Sequence, residues 1–128
     1  MATFNQISSK EFRLKKKKRN KVLGLLRCPQ RKGQCVRIFI RTPKKPSSGR
    51  RKVTRVRLTN SSMVTCHIPG MGGHNLQKFS TVLVRGCHVR DIPAIRYRVI
   101  RNKYDLKFVY DRLSSRSKYG KSKFFKGV

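Results

Sequence analysis

Five short stretches of this sequence alternate apolar residues with arginine or other polar residues, and that period of two leaves few folds open. In residues 35–41, Val36, Ile38 and Ile40 fall on one side and Arg37 and Arg41 on the other. In residues 52–59, Thr54, Val56 and Leu58 oppose Arg55 and Arg57. Val64, Cys66 and Ile68 share a side in residues 63–68, as do Val82 and Val84 in residues 80–85. In residues 95–100, Ile95, Tyr97 and Val99 alternate with Arg96 and Arg98. Successive side chains of a strand point to opposite faces, so each stretch predicts a strand with one apolar face. The gaps between them, Pro43 to Gly49, Pro69 to Gly73 and Asp91 to Pro93, hold turn-forming residues. An open flat sheet would leave the apolar face wet, whereas closure buries it and removes the edges. The predicted fold is therefore all-β: a five-stranded barrel of the oligonucleotide-binding type over residues 28–111. A long basic N-terminal extension, residues 1–27, precedes it and a short basic C-terminal tail, residues 112–128, follows it. Phe4, Ile7 and Phe12 in the extension are compatible with a short helix or with a mitochondrial presequence.

Charge decides what kind of partner such a barrel meets. The chain has 34 Lys and Arg against four acids, Glu11, Asp91, Asp105 and Asp111, for a formal net charge of +30. A compact chain with that imbalance repels itself unless counter-charge arrives from outside. Nucleic acid supplies it densely and regularly. A membrane is not expected as partner: no apolar run approaches the roughly 20 residues of a spanning helix, and the cations are not confined to one helix face. The consecutive Lys15, Lys16, Lys17, Lys18 and Arg19 form a block that stays extended until it meets an anion. Arg116, Lys118 and Tyr119 interleave cations with an aromatic ring, the pattern that holds phosphates while stacking on a base or sugar.

Catalytic and metal chemistry find little support. Metal-dependent phosphodiester cleavage wants clustered carboxylates, and the four acids are scattered. Cys28, Cys35, Cys66 and Cys87 lack the tight Cys-x₂₋₄-Cys pairs of zinc sites, and reduced thiols are the better reading than disulfides because no apolar signal segment is present. Cys66 fits the apolar face of a strand. His74 has no Ser–Asp arrangement beside it and reads as a hydrogen-bonding loop histidine. Gly70-Met71-Gly72-Gly73 lacks the strand-to-helix context and the Lys–Ser/Thr pair of a phosphate cradle and reads as a turn that needs positive φ. No catalytic residue, metal ligand or cofactor is expected, apart from Mg2+ bound by surrounding RNA.

The segment from Thr42 to Lys52 carries the most specific signal. Pro43 and Pro46 stiffen it, Lys44, Lys45, Arg50, Arg51 and Lys52 offer phosphate contacts, and Ser47 and Ser48 offer hydroxyls to a ribose 2′-OH. On chemistry alone, an RNA-binding loop and a solvated loop weigh evenly.

That segment, with Val53 to Asn60 after it, closely resembles the signature of the small-subunit ribosomal protein 12 family. Further similarities follow in one order along nearly the whole chain: Asn5-Gln6, Cys28 to Gly33, His74-Asn75-Leu76-Gln77, Val84-Arg85-Gly86, Val89 to Pro93, Ile95-Arg96-Tyr97 and Arg116 to Gly120. The resemblance implies the barrel, an extension threaded through ribosomal RNA, and three loops reaching the decoding site. It implies that Lys44, Lys45 and Pro46 lie near the RNA loop that closes on a correct codon–anticodon pair, beside an aminoglycoside pocket. It puts Ser48 against an adenine that inspects the codon helix. His74, Asn75 and Gln77 belong by the same likeness to the second loop, and Arg90, Asp91 and Pro93 to the third. Asp91 is modified in some members. Implied partners are small-subunit rRNA, the mRNA–tRNA codon–anticodon helix and neighbouring small-subunit proteins.

The sequence departs from the family at Ser47, usually Asn, at Gly70 to His74, at Lys78-Phe79 for an acid and His, at Cys87-His88 for Gly-Arg, and at Ala94 for Gly. These loop departures and the extra charge favour a mitochondrial ribosome over a plastid or bacterial one. The opening Met1 to Gln6 is similar to the family's own start, so no removable presequence is expected. The competing readings are a free-standing single-strand RNA-binding barrel, with Phe39 and Tyr97 as stacking platforms, and a nuclease.

Overall fold

The computed structural model describes residues 1, 3–9, 17–44 and 49–123. Its five strands are β1 (Gln30–Arg41), β2 (Arg51–Leu58), β3 (Met63–His67), β4 (Thr81–Gly86) and β5 (Tyr97–Val99). They close in the order β1-β2-β3-β5-β4, with every neighbouring pair antiparallel except β3–β5, which is parallel. The closed five-stranded barrel expected from the alternation is present.

Closure rests on β1. Residues Gln30–Gln34 pair with β4 while Gly33–Arg41 pair with β2, so one strand joins both sides. At Gly33, which with Gln34 pairs on both sides, a Cβ would stand 2.5 Å from Val56 Cγ1 and 2.8 Å from the Arg57 carbonyl oxygen. Only glycine lets the two backbones approach this closely. The register then slips between Cys35 and Arg37, with Val36 as the extra residue, and a bulge of this kind reverses which face later residues occupy. The apolar side expected for residues 35–41 is corrected at Val36: the bulge lets Cys35, in its place, share the core face with Ile38, while Ile40, on Ile38's side of the strand, pairs with exposed Lys52 at the strand's end. Cys35 is fully buried, Ile38 packs against the core, and Ile40 is 59% exposed.

Inside the barrel, Cys35, Val56, Leu58, Val64, Cys66, Val82, Val84 and Val99 form one cluster. Compact β-branched residues suit a narrow barrel, and each fully buried valine contributes about 1.5–3 kcal/mol. Thr54, also fully buried, donates its hydroxyl proton to the Arg37 carbonyl at 3.2 Å, next to the bulge. Val53, Val89, Ile92 and Ile95 make a second cluster, against which Phe39 packs. Ile95 is thus buried outside β5, which is shorter than the stretch 95–100.

Both flanking segments contribute to the body. Leu25 is buried in the barrel cluster with Val22 packed against it, and the Gly24 amide donates to the Tyr97 hydroxyl at 3.0 Å. Asn60 Nδ2 donates to the Gly24 carbonyl at 2.9 Å, so a short 3-10 turn, Leu23–Leu25, lies over Tyr97 and Asn60. Nearer the start, α1 (Phe4–Ser8) is capped by Thr3 and Gln6 in a capping box. A second 3-10 turn, Arg116–Tyr119, returns toward Gly70.

Candidate nucleic-acid interface

Three connections meet at one end of the barrel: β1–β2, β3–β4 and β4–β5. The Lys44 amide donates to the Asp91 carbonyl at 2.7 Å. The Arg51 guanidinium lies 3.8 Å from the Asp91 carboxylate. Lys52 Nζ donates to the Gly72 carbonyl at 2.9 Å. The ion pair is solvent-exposed and contributes little to stability; its importance is positional, because it ties two connections together. It is also the sole carboxylate–cation pair among the described residues, which leaves most cations available to an outside anion.

A groove of about 380 Å³ runs between these segments, walled by Arg50, Arg51, Lys52, His67, Gly70 and Tyr119 among others. Gly70 and Gly72 hold φ of +99° and +88°, so the turn does need left-handed backbone. A Cβ on Gly70 would approach Val109 Cγ2 to 2.8 Å and Tyr119 Cδ1 to 3.4 Å, which shows how closely the C-terminal segment seals this turn. Arg112 lies over the Tyr119 ring, 4.4 Å from its centroid. The ring therefore forms a wall braced by a cation.

Two groups under the groove had no signal in the sequence. His67 ends β3, partly buried beside Arg98, Arg51 and Asp91, and its Nδ1 is a buried atom without a hydrogen-bond partner, as is Arg98 Nε. Burial, then the charges of Arg98 and Arg51, hold the imidazole down at about 4, against a weaker upward pull from Asp91. Arg101 is 5% exposed and donates to three carbonyls: Pro69 at 2.9 Å, Lys107 at 3.2 Å and Gly73 at 3.4 Å. Burial lowers its pKa. Its fork of donors fixes the Gly70–Gly73 turn from beneath, yet in the sequence it is one more arginine after an alternating run.

The second connection continues with His74 and Asn75 on an adjoining groove of about 320 Å³. His74 Nδ1 accepts from the Leu76 amide at 3.2 Å, a local loop hydrogen bond. Burial and the cations Lys52 and Arg101 lower its pKa. Asn75 bridges to the 105–107 segment, donating to the Asp105 carbonyl at 2.5 Å and accepting from the Lys107 amide at 3.0 Å. Gln77, Arg90, Asp91 and Pro93 are exposed. Thus Lys44, Arg50, Arg51, Lys52, Asp91 and Tyr119 come together, with His74 and Asn75 next to them. Lys17, Lys18 and Arg19 are exposed in the extension, and Arg116 and Lys118 belong to the C-terminal turn. Lys15, Lys16, Lys45, Pro46, Ser47 and Ser48 lie outside the described residues.

All four cysteines are free, with Cys35 and Cys66 buried and their pKa raised by that burial. Phe39 and Tyr97 are both partly buried. Phe39 packs on the second cluster, and Tyr97 packs on the barrel core under Gly24.

Comparison with known proteins bears on the whole chain. A family model described as ribosomal protein S12/S23 matches residues 15–124. The chain is similar to the small ribosomal subunit protein uS12m of Bigelowiella natans, 52% identical over 120 residues that cover 94% of each chain.

Proposed function

From the premise that the chain belongs to the ribosomal protein S12/S23 family, we propose that it stands at the decoding centre and supports accurate codon–anticodon recognition there. Its coarser role is that of a structural, non-enzymatic constituent of the small ribosomal subunit, with ribosomal RNA and neighbouring ribosomal proteins as partners. Its relative is the mitochondrial small-subunit protein, and the compartment is the mitochondrial ribosome.

The observation that carries the finer reading is the knot of three connections. Lys44, Arg51 and Lys52 are fixed to Asp91 and Gly72 rather than left to wander. A short A-form helix has a minor groove whose shape is independent of codon identity, so rRNA bases can measure it for any codon. A protein that favours the closed arrangement of those bases needs placed charges and hydroxyls but no base-specific contact. It biases a two-state RNA equilibrium through its differential affinity for the closed form. In this reading Lys44, Lys45, Pro46, Ser47, Ser48, Arg50, Arg51 and Lys52 meet the rRNA at the codon helix. His74, Asn75, Gln77, Arg90, Asp91 and Pro93 flank them, and Lys15 to Arg19 with Arg116, Lys118 and Tyr119 anchor the ends in rRNA. Residues 1–27, 28–111 and 112–128 act as anchor, barrel and second anchor. The chain needs no cofactor of its own; Mg2+ belongs to the surrounding RNA.

A Lys44→Ala chain assembled into small subunits tests this. Misreading in an organellar reporter, or the response to streptomycin, should change severalfold while subunit assembly stays normal. Unchanged accuracy with normal assembly removes the loop from the decoding centre.

A further inference from the structure

Outside the knot of loops, two large aromatic side chains are held out into solvent on strained backbone. Phe79 is 62% exposed and Tyr104 is 49% exposed. Their φ angles are +69° and +53°. The left-handed region costs a residue with a Cβ about 1–2 kcal/mol. Each ring nevertheless keeps about half or more of its surface in solvent, where it is open to a partner.

The two positions belong to one patch on the outer wall of β1 and β4. The Phe79 amide donates to the Cys35 carbonyl at 2.7 Å, and Gln34 Nε2 donates to the Phe79 carbonyl at 3.3 Å. Lys32, two residues before Gln34 and about 7 Å along the strand, places its ammonium 5.3 Å from the Tyr104 ring centroid. Lys103 stands 5.3 Å from the same centroid, and Lys78 stands 5.0 Å from that of Phe79. The two backbone segments are joined as well: the Asp105 carboxylate accepts from the Thr81 amide at 2.6 Å, and the Asp105 amide donates to the Thr81 carbonyl at 3.2 Å. Asp105 is the acid of this neighbourhood, and one of its oxygens is already engaged. Lys32, Gln34, Lys78 and Lys103 are all exposed.

We propose that this wall is a second RNA contact, in which Phe79 and Tyr104 each stack on an unpaired ribosomal nucleobase while Lys32, Lys78 and Lys103 hold the flanking phosphates. Exposed rings interleaved with ammonium groups match the chemistry of a single strand, whose bases present π-faces and whose backbone presents charge. A protein partner of ordinary surface chemistry would leave three lysines facing it without acids. A paired helix hides the base faces that the rings would need. The proposal requires only that the chain lies on rRNA and is independent of the decoding assignment.

The test is short-wavelength ultraviolet crosslinking of assembled small subunits, followed by identification of the peptide–nucleotide adducts. Adducts at Phe79 or Tyr104 on rRNA, lost in the Phe79→Asn, Tyr104→Asn double variant, are the expected result. Asparagine tolerates left-handed backbone, so the variant chain should fold at least as well as the parent. It should nevertheless compete at least fivefold less well for incorporation into subunits. Adducts that appear at the C-terminal turn but never at Phe79 or Tyr104, with the variant incorporating normally, would overturn the proposal. So would protein crosslinks from Lys32 and Lys103 in place of RNA adducts. Accuracy of decoding is read separately, through Lys44.

Discussion

His67 shows how one side chain can report the electrostatics of the whole interface. Its imidazole is neutral at physiological pH because burial and the charges of Arg98 and Arg51 hold it down at about 4, from an ordinary 6.5. As pH falls, the unfolded chain takes up this proton before the folded one does, so the unfolded state binds more protons between those values. Stability is then full above about 6.5, falls as pH is lowered toward about 4, and levels off below. His74, lowered by burial, Lys52 and Arg101, adds loss in the same direction. A series of thermal melts between pH 7.5 and 4 should therefore show a declining midpoint, and His67→Asn should flatten most of the decline. An unchanged slope in that variant would mean that His67 is not the proton acceptor that folding suppresses. Phosphate approaching the groove would oppose Arg98 and Arg51, so RNA should make the same imidazole easier to protonate. Arg101 carries the opposite lesson: a cation buried without a carboxylate is held by three carbonyl dipoles, and its task is to shape a turn.

At the scale of elements, the turn that Arg101 shapes separates two kinds of glycine. Gly70 and Gly72 both have positive φ, but a Cβ at Gly70 meets Val109 at 2.8 Å whereas one at Gly72 has nothing within 4 Å. Gly72→Ala should cost only about 1 kcal/mol of backbone strain. Gly70→Ala adds a clash with Val109, whose amide donates to the Tyr119 carbonyl, and should lift the C-terminal turn from its seat, freeing the backbone at Arg116 and Lys118 for cleavage by trypsin. Equal digestion of both variants would show that the turn is not sealed by Tyr119. The strands themselves were legible from alternation, because in a barrel with one wet face the pattern of Arg57, Leu58 and their neighbours is the fold. Legibility stopped where another constraint replaced alternation. Gln30–Gln34 carries no apolar run because its inward residue at the closure is Gly33, and Cys35 joins Ile38 on the core face, in place of Val36, because the bulge shifts the parity. Leu25, in a segment read as basic extension, plugs the barrel through packing and the Gly24–Tyr97 contact. The three connections could be named as interface segments. Of the bonds that knot them, Lys44 N–H to the Asp91 carbonyl is made by backbone alone, which leaves no trace in residue identity.

For the whole molecule, the decisive quantity is charge left unmatched. With a formal net charge of +30 and one exposed ion pair among the described residues, the barrel folds against its own repulsion and binds RNA through the same cations. Salt therefore acts on the two processes with opposite signs. Added monovalent salt screens cation from cation over about 10 Å at 0.1 M, so the melting temperature of the purified chain should rise between low salt and a few tenths molar. Among the described residues there is one ion pair for it to weaken. Affinity for RNA should fall steeply over the same range, because each phosphate contact releases condensed counterions that the salt opposes. The expected signature is a rising thermal midpoint in circular dichroism beside a falling association constant, measured on one sample across one salt series. A midpoint that falls with salt would mean that attractive pairs, rather than repulsion, dominate the folded chain. The counter-charge would then not have to come from RNA. If both trends hold, phosphate supplies in the subunit what salt supplies in solution, and the last stage of folding belongs to assembly.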